Sequence, residues 1–152
     1  MLDKISKIIL AELQNDGRIS NVELANRVCL SPAACLERVR KLQDSGYILS
    51  YTAQLNPQLL DVALLVFIEV VLDRTTPDVF DTFKRDVHAI PSVLECHMVA
   101  GGFDYLVKAR VRDMSAYRDF LGKSLLQLNG VRETHTYAVM EEVKNTTSLP
   151  IK

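Results

Sequence analysis

Ser31-Pro32-Ala33-Ala34 opens a short stretch that continues into Glu37, Arg38, Arg40 and Lys41. The first four residues are small enough for a helix start to sit deep in a major groove. The cations after them are the side chains that reach base edges or phosphate oxygens. A second group is Gly101-Gly102 followed by Asp104. Two adjacent glycines can expose backbone N–H groups in a nest-like turn that would hold a carboxylate. Asp104 beside them can accept a charge-assisted hydrogen bond from an ammonium. The plain alternative is a hairpin turn in which Asp104 bonds its own backbone.

No residues announce catalysis. There is no phosphate loop, no Gly-x-Gly-x-x-Gly opening a helix, and no nucleophile with a base beside it. His88, His97 and His135 are scattered. Cys29, Cys35 and Cys96 are an odd number without metal-ligand spacing, so they read as reduced thiols, which points to the cytoplasm. No metal or cofactor is expected. The longest apolar run, from Val62 to Leu72, is too short to cross a membrane and contains Glu69.

The cations need a helix, and the helix needs support. Ser20 with Glu23 forms a capping-box pattern, and Val22, Leu24, Ala25 and Val28 give the helix it starts an apolar stripe. Ser31-Pro32 starts another, with a hydroxyl at the N-cap and proline at the first helical position. Cys35, Leu36, Val39 and Leu42 face inward, which leaves Ala33, Ala34, Glu37, Arg38, Arg40 and Lys41 outside. Two helices joined this tightly are a helix-turn-helix or a plain helical hairpin. An earlier helix carries Ile5, Ile8, Ile9 and Leu13 after Asp3, and ends at Asn15-Asp16-Gly17 with the glycine expected left-handed. Gly46 stops the third helix. Tyr47, Leu49, Tyr51, Ala53 and Leu55 then alternate with polar residues, the period of a strand. Asn56-Pro57 marks the boundary.

Charge restrains this reading. The net charge is −1, and residues 1–55 hold seven Lys/Arg against six Asp/Glu. A nucleic-acid interface is usually basic, so a second copy of the chain would have to double a local field.

The second half alternates strand and helix. The pattern predicts strands at 63–72, 93–99, 105–111 and 131–143. Helices are predicted after Thr76-Pro77 (Val79, Phe80, Phe83 and Val87 inward) and after Asp113 (Met114, Tyr117, Leu121, Leu125 and Leu128 inward). The order β-α-β-β-α-β is the ferredoxin-like plan, with both helices on one face of an antiparallel sheet. The first strand is apolar on both faces: Leu64, Val66, Ile68 and Val70 on one, Leu65, Phe67 and Val71 on the other. Each such side chain is worth about 1.5–3 kcal/mol when buried. The uncovered face therefore implies a homodimer, which would place two helix-turn-helix units about one duplex turn apart. The fold class is α+β: a three-helix unit over 1–46, a linker strand and hinge over 47–61, and a ferredoxin-like domain over 62–152. RNA recognition would need aromatic residues on the central strands, which offer little beyond Tyr105.

Several stretches together resemble one family. They are Asp16-Gly-Arg-Ile-Ser-Asn-Val-Glu-Leu24, Leu30-Ser-Pro, Cys35-Leu-Glu-Arg-Val-Arg40, Leu55-Asn-Pro57, Asp104-Tyr-Leu106, Asp113-Met-Ser-Ala-Tyr-Arg118 and Val139-Met-Glu-Glu-Val-Lys144. The chain is similar over essentially its whole length to the Lrp/AsnC transcription regulators. The resemblance implies a winged-type helix-turn-helix that binds double-stranded DNA, with Ser31, Ala33, Ala34, Glu37, Arg38, Arg40 and Lys41 at the interface. It implies an effector module for a small amino acid, leucine or methionine, with Met98, Met114, Ala138 and Val139 as apolar walls beside Gly101, Gly102 and Asp104. Homodimers assembling further, to octamers, and a cytoplasmic, nucleoid-associated protein are also implied. The rival is a metabolite-sensing protein whose N-terminal helices bind another protein.

Overall fold

In the computed structural model, residues 2–151 are described. The chain divides into two compact units: the described residues of Met1–Gln54 with Lys144–Lys152, and Leu55–Val143.

The first unit holds α1 (Lys4–Asn15), α2 (Asn21–Arg27) and α3 (Pro32–Asp44). Each starts on a side-chain cap. Asp3 accepts from Ser6 N–H at 2.7 Å, Ser20 from Glu23 N–H at 3.1 Å and Ser31 from Ala34 N–H at 3.3 Å. These bonds satisfy amides that the helix cannot. The capping box is only half made, because the Glu23 carboxylate turns to Arg27. Ile9, Leu24, Ala25, Val28, Cys35 and Leu42 form the core. Val22 and Leu36, expected inside, are exposed at 58% and 40%, since the stripe that meets α1 is narrower than the apolar pattern.

Two backbone expectations fail here. Gly17 is not left-handed; Gly46 and Gly130 are the glycines with positive φ among the described residues. Gly17 instead sits under the Tyr51 ring, where an added Cβ would come within 3.5 Å of it. The alternating run from Tyr47 to Leu55 forms no strand. A strand needs a ladder, and among the described residues none pairs with this segment. Residues 144 onward, expected in the second domain, pack with the first unit. Gln14 clasps Leu149 by donating to its carbonyl at 3.1 Å and accepting from its N–H at 2.6 Å.

The second unit has β1 (Leu64–Leu72), α4 (Pro77–His88), β2 (Val93–Met98), β3 (Tyr105–Val111), α5 (Met114–Lys123), a 3-10 turn (Leu125–Gln127) and β4 (Val131–Ala138). The sheet is antiparallel in the order β2-β3-β1-β4, the ferredoxin-like topology. Val66, Ile68, Val70, Val107, Phe83 and Leu125 are fully buried between sheet and helices. Phe120, unassigned by the sequence pattern, joins them, while Met114, expected inward, is 57% exposed. β4 stops at Ala138, short of the 143 expected; past it, Val139 N–H still donates to the Leu65 carbonyl at 2.9 Å.

The open face of the sheet also differs from expectation. Register puts Leu65, Phe67, Glu69 and Val71 on it, beside Leu106, Lys108 and Arg110 of β3 and His135 and Tyr137 of β4. Lys108 pairs with Glu95 at 2.7 Å, and the Tyr137 hydroxyl donates to Glu69 at 3.1 Å. The apolar strip therefore follows β1 and Leu106 and is flanked by ion pairs, so the face is not uniformly apolar.

Candidate functional site

α3 is held in the first unit by its buried stripe and by a clamp at its start. The Asn21 side-chain amide, at the first turn of α2, donates to the Pro32 carbonyl at 2.8 Å. The bond ties the two helix starts together and sets the exposed opening of α3. Cys29 takes a φ of +54 in the intervening turn. Ser31, Ala33, Ala34, Glu37, Arg40 and Lys41 are all exposed, as their spacing required. Lys41 lies 3.6 Å from Glu37 one turn earlier, a pair too exposed to hold either side chain firmly.

Arg38 departs from its expected place. Its Nη1 lies 2.6 Å from Asp3 Oδ2 and 3.3 Å from Ser6 Oγ, so the guanidinium faces back to the start of α1. That pairing, with the Ser6 N–H, holds the Asp3 carboxyl at about 2, below its ordinary 3.8. Asp3 thus caps α1 and anchors α3. A partner 35 residues away in sequence leaves no spacing signal.

The second candidate site is divided. Gly101 and Gly102 lie in the exposed turn before β3, but neither has the left-handed φ a nest needs. Asp104 is committed to backbone: its Oδ2 accepts from Leu72 N–H at 2.8 Å, while its own N–H donates to the Val70 carbonyl at 3.0 Å. The turn borders a cavity of about 520 Å³ that also carries Asp73, Arg74 and Arg132. Those two guanidinium groups can take a carboxylate in place of the nest. Sequence reading missed them because they come from the ends of different strands.

Met114, Ala138 and Val139 are elsewhere. Ala138 pairs with Val66, Val139 N–H donates to the Leu65 carbonyl, and Met114 follows the β3 terminus that pairs with Leu64. The turn meets β1 at Val70 and Leu72. At roughly 3.3 Å per strand residue the two groups stand about 16 Å apart along β1. Met98, paired with Tyr105, lines a different cavity between α4 and β2. The antiparallel order forces this: β3 begins where β1 ends, so whatever follows β3 returns to the start of β1.

Among the described residues no group of three His, Cys, Asp or Glu could hold a metal ion, and no helix is long and apolar enough to cross a membrane.

Comparison with known proteins bears on both sites. A family model described as the Lrp/AsnC ligand binding domain matches residues 65–149, and one for a winged helix-turn-helix DNA-binding domain matches residues 2–48. The chain is 59% identical over 151 residues to the leucine-responsive regulatory proteins of Salmonella typhimurium and Escherichia coli, covering 99% of this chain and 92% of each relative. Among solved structures, a transcriptional regulator from Neisseria meningitidis in complex with L-Met superposes with a TM-score of 0.94 at 41% identity, over 99% of this chain and 97% of that one.

Proposed function

The chain belongs to the Lrp/AsnC family of transcription regulators, and from that membership we propose that it reads double-stranded DNA under the control of a small amino acid, leucine or methionine. The exposed, clamped opening of α3 supports this reading most directly. Ser31, Ala33 and Ala34 are small enough to enter a major groove, with Glu37, Arg40 and Lys41 behind them to meet bases and phosphates. Arg38 acts differently, as a positioning residue that sets α3 against α1 through Asp3.

The effector site is composite in this proposal. The turn of Gly101, Gly102 and Asp104, with Arg74 and Arg132 nearby, receives the amino acid's charged groups. Met114, Ala138 and Val139 of another copy supply apolar walls, because within one chain they lie at the far end of β1. The apolar strip of Phe67, Val71 and Leu106 favours pairing of sheets into a homodimer, and further association to an octamer brings composite sites together. A ligand bound between copies shifts assembly only by its differential affinity for the two states. We place the regulator in the cytoplasm, on the nucleoid, with no catalytic step.

The experiment selects genomic fragments bound by the whole protein, then measures their affinity and the protein's sedimentation with and without leucine and methionine. The expected result is salt-sensitive duplex binding and a mass distribution that moves with at least one amino acid. Absence of salt-sensitive duplex binding would transfer the first unit to a protein-binding role. Unchanged mass and unchanged affinity would end the effector reading.

A further inference from the structure

Glu37 is an acid on the face of α3 that the function proposed above turns toward DNA. It shares one exposed stripe with Ala33, Ala34 and Lys41, three or four residues before or after it. Phosphates repel a carboxylate, so an acid there weakens binding to every duplex alike unless a base edge answers it. Its own chain answers it poorly. Lys41 Nζ stands 3.6 Å from Glu37 Oε1, beyond hydrogen-bond reach, and the two side chains are 73% and 60% exposed. Glu12 and Glu23, by contrast, are both tied to Arg27.

Distance along the helix separates the roles on this stripe. With the helix start deep in a major groove about 8.5 Å deep, a rise of about 1.5 Å per residue puts Glu37 about 7.5 Å past Pro32, still inside it. Arg40 and Lys41 come about 12 and 13.5 Å past Pro32, at the rim where the phosphates run. Helical side chains lean toward the N-terminus, so a base contact from position 37 passes over Ala33 and Ala34, whose methyl groups leave the way open.

The carboxylate also selects its base. When ionised it only accepts hydrogen bonds. In the major groove cytosine presents an amino donor, whereas adenine sets its amino donor beside the N7 acceptor. Guanine presents two acceptors there, and thymine an acceptor and a methyl group. We propose, on the reading that α3 enters the major groove, that Glu37 is a specificity-determining residue: it accepts a hydrogen bond from the N4 amino group of one cytosine in each half-site. Arg40 and Lys41 hold the phosphate backbone and carry no such preference.

The whole protein selects from a pool of randomised duplexes, and the affinities of single-base variants of the recovered site are then measured. Wild type should show one position per half-site at which cytosine exceeds each other base by about tenfold, the discrimination of a good base contact. Glu37→Gln, which can donate as well as accept, should move that position to adenine. Glu37→Ala should leave it without preference. Lys41→Ala should keep the cytosine while binding becomes less salt-dependent. All three substitutions fall at exposed positions outside the core. Absence of salt-sensitive duplex binding by wild type would remove the DNA reading itself, and this role with it. Where wild type does bind, a site without a cytosine-selective position, or one that Glu37→Gln and Glu37→Ala leave unchanged, would overturn the role of Glu37 alone. So would a Glu37→Ala variant that binds every duplex more tightly by one common factor, the mark of a merely repulsive acid. Loss of the cytosine in Lys41→Ala would hand the position to Lys41 reading the paired guanine, and would overturn it too.

Discussion

The placement of two arginines two residues apart on α3 gives a quantitative contrast. Arg40 is exposed, whereas Arg38 is bound to Asp3 at 2.6 Å and its side chain is only 34% exposed. Each phosphate contact contributes about 0.9 to the slope of log affinity against log salt. If Arg40 touches one phosphate per recognition helix, Arg40→Ala in a two-headed complex lowers the slope by about 1.8. Between about 50 and 200 mM salt, the affinity spread of the variant should then be narrower by roughly tenfold. Arg38→Ala should leave the slope within a few tenths of the wild type, because its guanidinium already has a carboxylate. The assay is fluorescence anisotropy on one bound fragment across a salt series, with sedimentation to confirm equal assembly. Equal slopes for wild type and Arg40→Ala, or an Arg38→Ala slope that falls as far as Arg40→Ala, would refute the division of labour.

Further expectations follow from paired, strained and buried positions. Asp3 titrates lower folded than unfolded, so the stability it contributes is present above its ordinary 3.8 and drains away as pH falls toward about 2. Asp3→Asn should flatten the acid unfolding profile of the first unit in that window, followed by circular dichroism. Gly130 has φ +87, and an added Cβ would lie 2.7 Å from Val79 Cγ1. Gly130→Ala should therefore cost about 1–2 kcal/mol in left-handed strain plus the clash. In a Val79→Ala background urea denaturation should show the strain alone; equal losses in both backgrounds would refute the clash. Phe83→Ala empties a fully buried position between α4 and the sheet and should cost about 3–5 kcal/mol by the same measurement.

What sequence reading could reach was local and periodic. Ser20, Ser31 and Asp113 were visible as caps because a cap acts over three residues, and each accepts the amide its position predicts. β1 was visible as a central strand because both its faces are apolar, and the strand order followed from one topology. Pairings across the fold were invisible. Nothing near Arg38 points to Asp3, and nothing near Gly102 points to Arg74 or Arg132. The run from Tyr47 to Leu55 has a strand's alternation, but alternation describes a side-chain face and cannot supply the neighbouring backbone. The effector residues were assembled from a family pattern, and antiparallel geometry separates them along β1. In the composite site proposed above they converge through a second chain, which a single sequence does not display.

The clasp between Gln14 and Leu149 has a practical consequence for anyone rebuilding this protein. The sheet unit, Leu55–Val143, is nested inside the other as a cassette, with host residues before and after it. A chimera that splices a foreign sensor after Gln54 and runs to the foreign carboxy end discards a piece of its own reader. A sound graft has two seams, one after Gln54 and one before Lys144.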